Sequence, residues 1–409
     1  MEKGTLILML AILLTGCAFF EKTDLLGRTR AETMGGGPAR TKPGEEEAAD
    51  TSAHLYLCAV EYPKGYDWVK DTAYDVVEAR LMLFKDGACT VSIPTGGNNH
   101  VSTDPDTHWI LGGHLLTTCS DGLHTWIRQD GEPLTEYDGG EDIKGVILRD
   151  GMLWTLGEKL RGQGFTLRCD GTVVADYSQG TPIGTLYEDD GFLCFAYNLV
   201  IRSGNYVIRK YYISADGEDK EVSVPSDATA LFDIRRVQGI TYAAYIQGSA
   251  PHDLMVSTEA GARKLYNFYN NNYAELCGIM PDGKGGIYVK GRCTLMNGHI
   301  RYAVWSLDRI FTVFDNLTSI HEIYAGSGGE IAAIGCHANS GETLIFKPPE
   351  GYPGVSLGRK FRFITPRAAT MAGGKFYAGL TGDDGDLLWA DGSQIPLDIN
   401  GPVTGIAYQ

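Results

Sequence analysis

The chain has 409 residues, of which 53 are glycine, and carries a formal charge of −16. With no basic run to offset it, that charge excludes nucleic-acid binding by phosphate neutralisation, which needs Lys and Arg facing the backbone. The glycine content fits a fold that turns roughly every 8 to 12 residues.

Residues 5–14 (TLILMLAILL) are apolar and follow Lys3. The stretch is too short to cross a bilayer of roughly 30 Å as a helix and has the length of a signal-peptide core. It ends in Leu14-Thr15-Gly16-Cys17, which resembles the bacterial lipobox. The resemblance implies that residues 1–16 are removed and that Cys17 is acylated on its sulfur and then on its amine. An ordinary secretory peptide with an incidental cysteine is the alternative. Two or more acyl chains hold a protein stably to a membrane. Ala18 stands where some Gram-negative bacteria place a retention Asp, so the resemblance implies the outer membrane. Residues 17–52 read as the lipidated Cys followed by a tether. MGGGPARTKPGEEEAAD is rich in Gly, Pro and like charge and has no apolar period with which to fold.

From residue 53 onward the pattern is strand after strand. The clearest unit is Gly112 to Gly139: GHLLTTCSDG, LHTWIRQDG and EPLTEYDG, preceded by THWIL. Asp-Gly supplies the φ > 0 positions of a tight hairpin, so these runs read as four antiparallel strands, the size of one β-propeller blade. A third strand with its turn recurs as LMLFKDG, HTWIRQDG, FTLRCDG, YYISADG, LMVSTEAG, AVWSLD, TLIFKPPEG and LLWADG. Innermost strands are expected to start near Val101, Asp142, Pro182, Thr229, Ala274, Ile320, Arg367 and Val403, roughly 40 residues apart, the repeat length of blades. Before the first full blade the chain offers three strands, Leu55–Glu61, Arg80–Phe84 and Cys89–Ile93. At its end it offers one, Val403–Tyr408. Pairing the last with the first three would close an all-β propeller of eight four-stranded blades over 53–409 and leave no open edge there. Seven blades follow instead if Tyr352–Thr365 is misparsed. Asp71–Arg80 is the one helical-looking stretch.

First-to-second and third-to-fourth turns are minimal, whereas second-to-third and some fourth-to-first connections are long, including Pro63–Val77, Thr95–Thr107 and Asn198–Asn205. In a propeller the longer two kinds share one face, and loops on a rigid scaffold are where binding collects. Candidate contacts there are Tyr66, Trp68, His100, Trp109, Asn272, Tyr273, His299 and His337, since aromatics interleaved with Asn, Asp and His suit sugar faces. His100, Asp104, Asp106 and His108 are a metal candidate by residue type, although Pro105 breaks their period and no calcium-loop pattern is present. Thr118–Trp126 (TCSDGLHTW) resembles the sialidase Asp-box, with Asp121 and Gly122 adjacent where the box separates them. Eight cysteines remain after Cys17; Cys58, Cys119, Cys194, Cys293 and Cys336 fall one per blade on second strands, and Cys277 with Cys293 is the one pairing to test. No G-x-S-x-G, H-E-x-x-H or phosphate-binding glycine loop occurs, and no cofactor is expected. The reading is a membrane-tethered, non-enzymatic propeller that binds a protein or carbohydrate on its long-loop face. A carbohydrate-active enzyme and a scaffold subunit of an outer-membrane complex are the alternatives.

Overall fold

Second strands read as near-continuous apolar runs, as strands covered on both faces do. Leu55–Glu61, Ile240–Gln247 and Ile331–His337 are buried through most of their length. Fourth strands such as Glu132–Asp138, Glu218–Val222 and Ser393–Leu397 are mostly exposed and carry polar residues. A sheet buried at its middle and wet at its outer edge is a blade packed between two others. The computed structural model describes residues 53–68, 78–96, 100–203, 206–248, 252–268, 271–295, 300–308, 310–314, 318–347, 354–382 and 385–409. The signal segment, Cys17 and the tether lie outside them, as does most of the helical candidate at 71–80.

Ala53–Gln409 is one unit of eight four-stranded antiparallel sheets arranged as blades of a ring. In chain order, blades two to eight span residues 108–138, 141–177, 180–222, 228–267, 271–313, 318–356 and 369–397. Blade one takes Val403–Tyr408 as its innermost strand, then Leu55–Glu61, Arg80–Lys85 and Ala88–Pro94. The closing register sets Leu55 against Tyr408, Leu57 against Ile406 and Ala59 against Val403. The expected eight blades and their closure are both present.

The core lies between blades rather than at the ring's centre. Between blades three and four, Leu156, Phe165, Leu167, Phe195 and Tyr197 are buried together, and Phe165 stacks on Tyr177 at 4.4 Å.

Asp-Gly does more than turn the chain. Asp130 and Gly131 both have positive φ (53° and 90°), as a two-residue hairpin needs. In blades one to four the turn aspartate also grips the start of the second strand. Its carboxylate accepts from the backbone N–H of Leu55, Leu115, Leu153 or Leu193, at 2.8 to 3.0 Å. Its own N–H donates to the same leucine's carbonyl. Each clasp ties the third-to-fourth turn to the start of the second strand on the tight-turn face.

Two innermost strands begin later than expected, His108–Leu111 rather than near Val101, and Ala369–Ala372 rather than at Arg367. Proline is the cause. Pro105 and Pro366 each open a one-turn 3-10 helix, Pro105–Thr107 and Pro366–Ala368, capped by the side chains of Asp104 and Thr365. These two strands have four residues each. Innermost strands of blades three to seven have 8 to 11 and carry register shifts at Ile143/Gly145, Ile183/Tyr187, Leu231/Asp233, Leu276/Gly278 and Ile320/Glu322. A bulge leaves an extra residue unpaired and re-aims its neighbours.

Candidate functional site

Every innermost strand runs from the long-connection face to the tight-turn face, so position along it gives depth in the channel. At the long-connection end, blades eight, one and two meet around Arg367. Its guanidinium donates to the carbonyls of Pro105 (3.0 Å) and His108 (2.8 Å) and lies 4.6 Å over the Trp109 ring. Asp106 Oδ1 stands 3.6 Å away. His108 is buried, with Nε2 2.7 Å from Thr404 Oγ1 on the closing strand. Burial, with Arg367 beside it, pushes the His108 imidazole down to about 3, so it is neutral at ordinary pH. Asp386, buried at the start of a blade-eight strand, is pushed up to about 7 by burial, against the N–H groups of Gly382 and Gly401.

Asp106, His108 and Trp109 are therefore brought together, but as a joint between blades. The four metal-candidate side chains have separate partners. His100 stacks on Trp126 at 4.0 Å, Asp104 accepts from its own turn's Asp106 N–H at 3.0 Å, Asp106 faces Arg367, and His108 faces Thr404. Among the described residues no three metal-capable side chains gather. Trp68 stacks on Tyr62, and Tyr66 tilts against the same ring. Asn400 fixes that loop by donating to the Pro63 carbonyl at 2.8 Å. His337 accepts through Nδ1 from the N–H groups of Asn339 and Ser340 within its own turn. Asn272 and Tyr273 belong to the innermost strand Asn271–Pro281, but their side chains, like His299, lie outside the described residues. The Asp-box-like segment is a tight turn in which Asp121 accepts from the N–H groups of Leu123 and His124, at 2.7 Å each. Among the described residues Cys58, Cys89, Cys119, Cys194 and Cys336 are free thiols. Register sets Cys293 opposite Ala274, with Cys277 further along in a bulge.

Two features escaped the sequence reading. One is a ribbon in blade four. Phe192–Ser203 and Tyr206–Ala215 pair from Cys194/Ala215 out to Ser203/Tyr206. The innermost strand supports this pair only up to Leu199, and the fourth strand only from Tyr211. Beyond those points a two-stranded ribbon stands free on the long-connection face. Val200, Ile201, Val207 and Ile208 on it are 38%, 38%, 59% and 48% exposed. Arg202, Arg209 and Lys210 are its charges, and no acid falls between Gly191 and Ala215.

The other is a recess of about 320 Å³ in the channel wall toward the tight-turn end, where the innermost strands of blades five, six and seven meet. Adjacent bulges build it. The blade-six bulge sets Gly278, at φ +136°, against Asp233, and a Cβ there would lie 3.4 Å from Asp233 Oδ2. That approach lets Asp233 accept from the Ile279 N–H at 2.9 Å. Burial raises the Asp233 carboxyl above its ordinary value. Lys290 is paired with Glu322 and donates to the Ile323 carbonyl at 3.2 Å. Arg235 lies 4.5 Å over the Tyr187 ring.

No family model and no curated protein sequence matches the chain. Several solved structures are similar to it. The β-propeller domain of the Trilobed protease from Pyrococcus furiosus, with open velcro topology, is similar at 10% identity and TM-score 0.44, over 72% of this chain and 90% of that one. An acylaminoacyl peptidase from Pyrococcus horikoshii is similar at 10% identity and TM-score 0.45, over 82% of this chain and 57% of its own length. A eukaryotic initiation factor is similar at 7% identity and TM-score 0.45, over 81% and 85% of the two chains.

Proposed function

We propose that this is a lipid-tethered propeller of the bacterial envelope that binds a macromolecular partner on its long-connection face. One observation carries the binding half. The blade-four ribbon exposes four β-branched side chains with Arg202, Arg209 and a Lys210 ion-paired to Glu221, in a chain whose formal charge is −16. Its unpaired edges at 200–203 and 206–210 leave backbone N–H and C=O groups free to pair with an added strand. The lipobox-like Cys17 supports the anchored half. The described chain begins at the tight-turn end of blade one, beside Asp86.

Site-specific photocrosslinking in intact cells tests the reading. A crosslinker at Ile201 or Val207 is expected to give one discrete adduct, while the same group at Ile395 on an outer strand gives none. Ribbon positions that give no adduct reject this face. Replacing Cys17 with Ala is expected to move the protein from the membrane fraction to the soluble one, and unchanged fractionation rejects the anchor.

A further inference from the structure

Both strands of the blade-four ribbon carry the same tripeptide, Val200-Ile201-Arg202 and Val207-Ile208-Arg209. The register sets Ile201 opposite Ile208, Val200 opposite Arg209 and Arg202 opposite Val207. Opposite residues of an antiparallel pair share a face, and neighbours along a strand alternate. The two isoleucines therefore lie on one face, and the valines and arginines on the other. Lys210, on the isoleucine side, is ion-paired with Glu221 at 2.9 Å. The guanidinium groups of Arg202 and Arg209 have no hydrogen bond or ion pair to a described residue, and both residues are exposed.

A strand added to an open edge inherits the pleat. Its residues alternate between the two faces, so every second one meets isoleucine and those between meet valine and a free guanidinium. Because the tripeptide is repeated antiparallel, either edge imposes the same demand. Opposite charges across a strand pair stabilise it and like charges oppose it. A second copy's ribbon would add two more guanidiniums to that face and no acid. The tether's own GEEEAAD sets three acids in a row and has no β-branched residue to alternate with them. Lipid is the poorer occupant, since unpaired backbone N–H and C=O groups go unsatisfied in hydrocarbon.

We propose that the ribbon takes up, as an added strand, an extended segment of a partner protein in which acidic residues alternate with β-branched or aromatic ones. This names the partner's chemistry and rests on the ribbon being the binding face.

Fluorescence anisotropy on the full chain in neutral detergent tests it with short labelled peptides. One alternates Glu with Val, one alternates Lys with Val, and one has the Glu–Val composition in two blocks, which breaks the period. The alternating Glu–Val peptide is expected to bind about tenfold tighter than either of the others. Arg202→Glu combined with Arg209→Glu is expected to weaken it about tenfold and to give the Lys–Val peptide the preference. A variant that had failed to fold could not produce that exchange. Equal binding of the block peptide, no exchange in the double variant, or ribbon-dependent binding of phosphatidylglycerol vesicles in place of peptide overturns the proposal. So does a concentration-dependent dimer that Ile201→Asp abolishes. An Ile201 adduct in cells with no such peptide preference rejects the partner's chemistry alone, whereas the absence of an adduct rejects the face.

Discussion

The closure side of the ring and the side across from it use the same four-stranded blade differently. Where blades eight, one and two meet, innermost strands are short, proline turns bring the chain in, and Arg367 spends its donors on carbonyls 259 and 262 residues away. Across the ring, innermost strands are long and bulged, and Arg235 lies over the Tyr187 ring with no hydrogen bond to a described residue. Two stacked arginines thus mark two regimes: a joint that must not open, and a wall with room left in it.

The largest test of that contrast removes a strand from each side. Deleting residues 403–409 takes out the closing strand, with Val403 and Ile406 buried. It is expected to cost about as much as a domain's whole stability, roughly 5–15 kcal/mol. Deleting the exposed strand Glu218–Val222 is expected to leave a cooperative transition. Chemical denaturation of both decides it, and equal losses would contradict a ring held by its seam.

Next come the arginines. Arg367→Ala removes two charge-assisted hydrogen bonds and is expected to lower stability by about 2 kcal/mol. Arg235→Ala is expected to stay within about 0.5 kcal/mol. Comparable losses in urea titrations would erase the distinction.

Acid–base behaviour sharpens the picture of the seam. Asp386 titrates near 7 when folded, against an ordinary 3.8, so the folded state keeps a proton the unfolded chain has released. Its contribution is full below 3.8 and is lost as pH rises through about 7. His108 is opposite, titrating near 3 against 6.5, so its contribution is present above 6.5 and is lost as pH falls toward 3. Between 3.8 and 6.5 the two slopes oppose. Asp386→Asn is expected to show stability rising with pH across that window, and His108→Gln to show it falling, each by on the order of 1 kcal/mol. Flat profiles in both variants would mean that these groups do not govern the seam. The smallest expected effect is at the ribbon, where Ile201→Asp should change stability by under about 0.5 kcal/mol and abolish the crosslinked adduct.

The ring itself is legible in sequence because its signals are local. Asp-Gly fixes a hairpin, and an apolar run between two such turns fixes a covered strand. The channel is not legible in that way. A bulge such as Leu231/Asp233 depends on the register of a partner strand, and nothing in LFDIRR marks which residue is left over. Arg367 and His108 meet only once the ring has closed, so nothing in the sequence joins one to the other. Pro105 reads as a break, but the 3-10 turns at Pro105 and Pro366 displace the strand starts beyond what periodicity alone can place.

His54 and Gln409 exchange both of their backbone hydrogen bonds. A ribosome releases the ring's last partner only after every other strand has been made. Until then Leu55–Glu61 presents a raw sheet edge, open to proteases and to other copies of the chain. Chains lacking residues 403–409 would be cleared rather than accumulate.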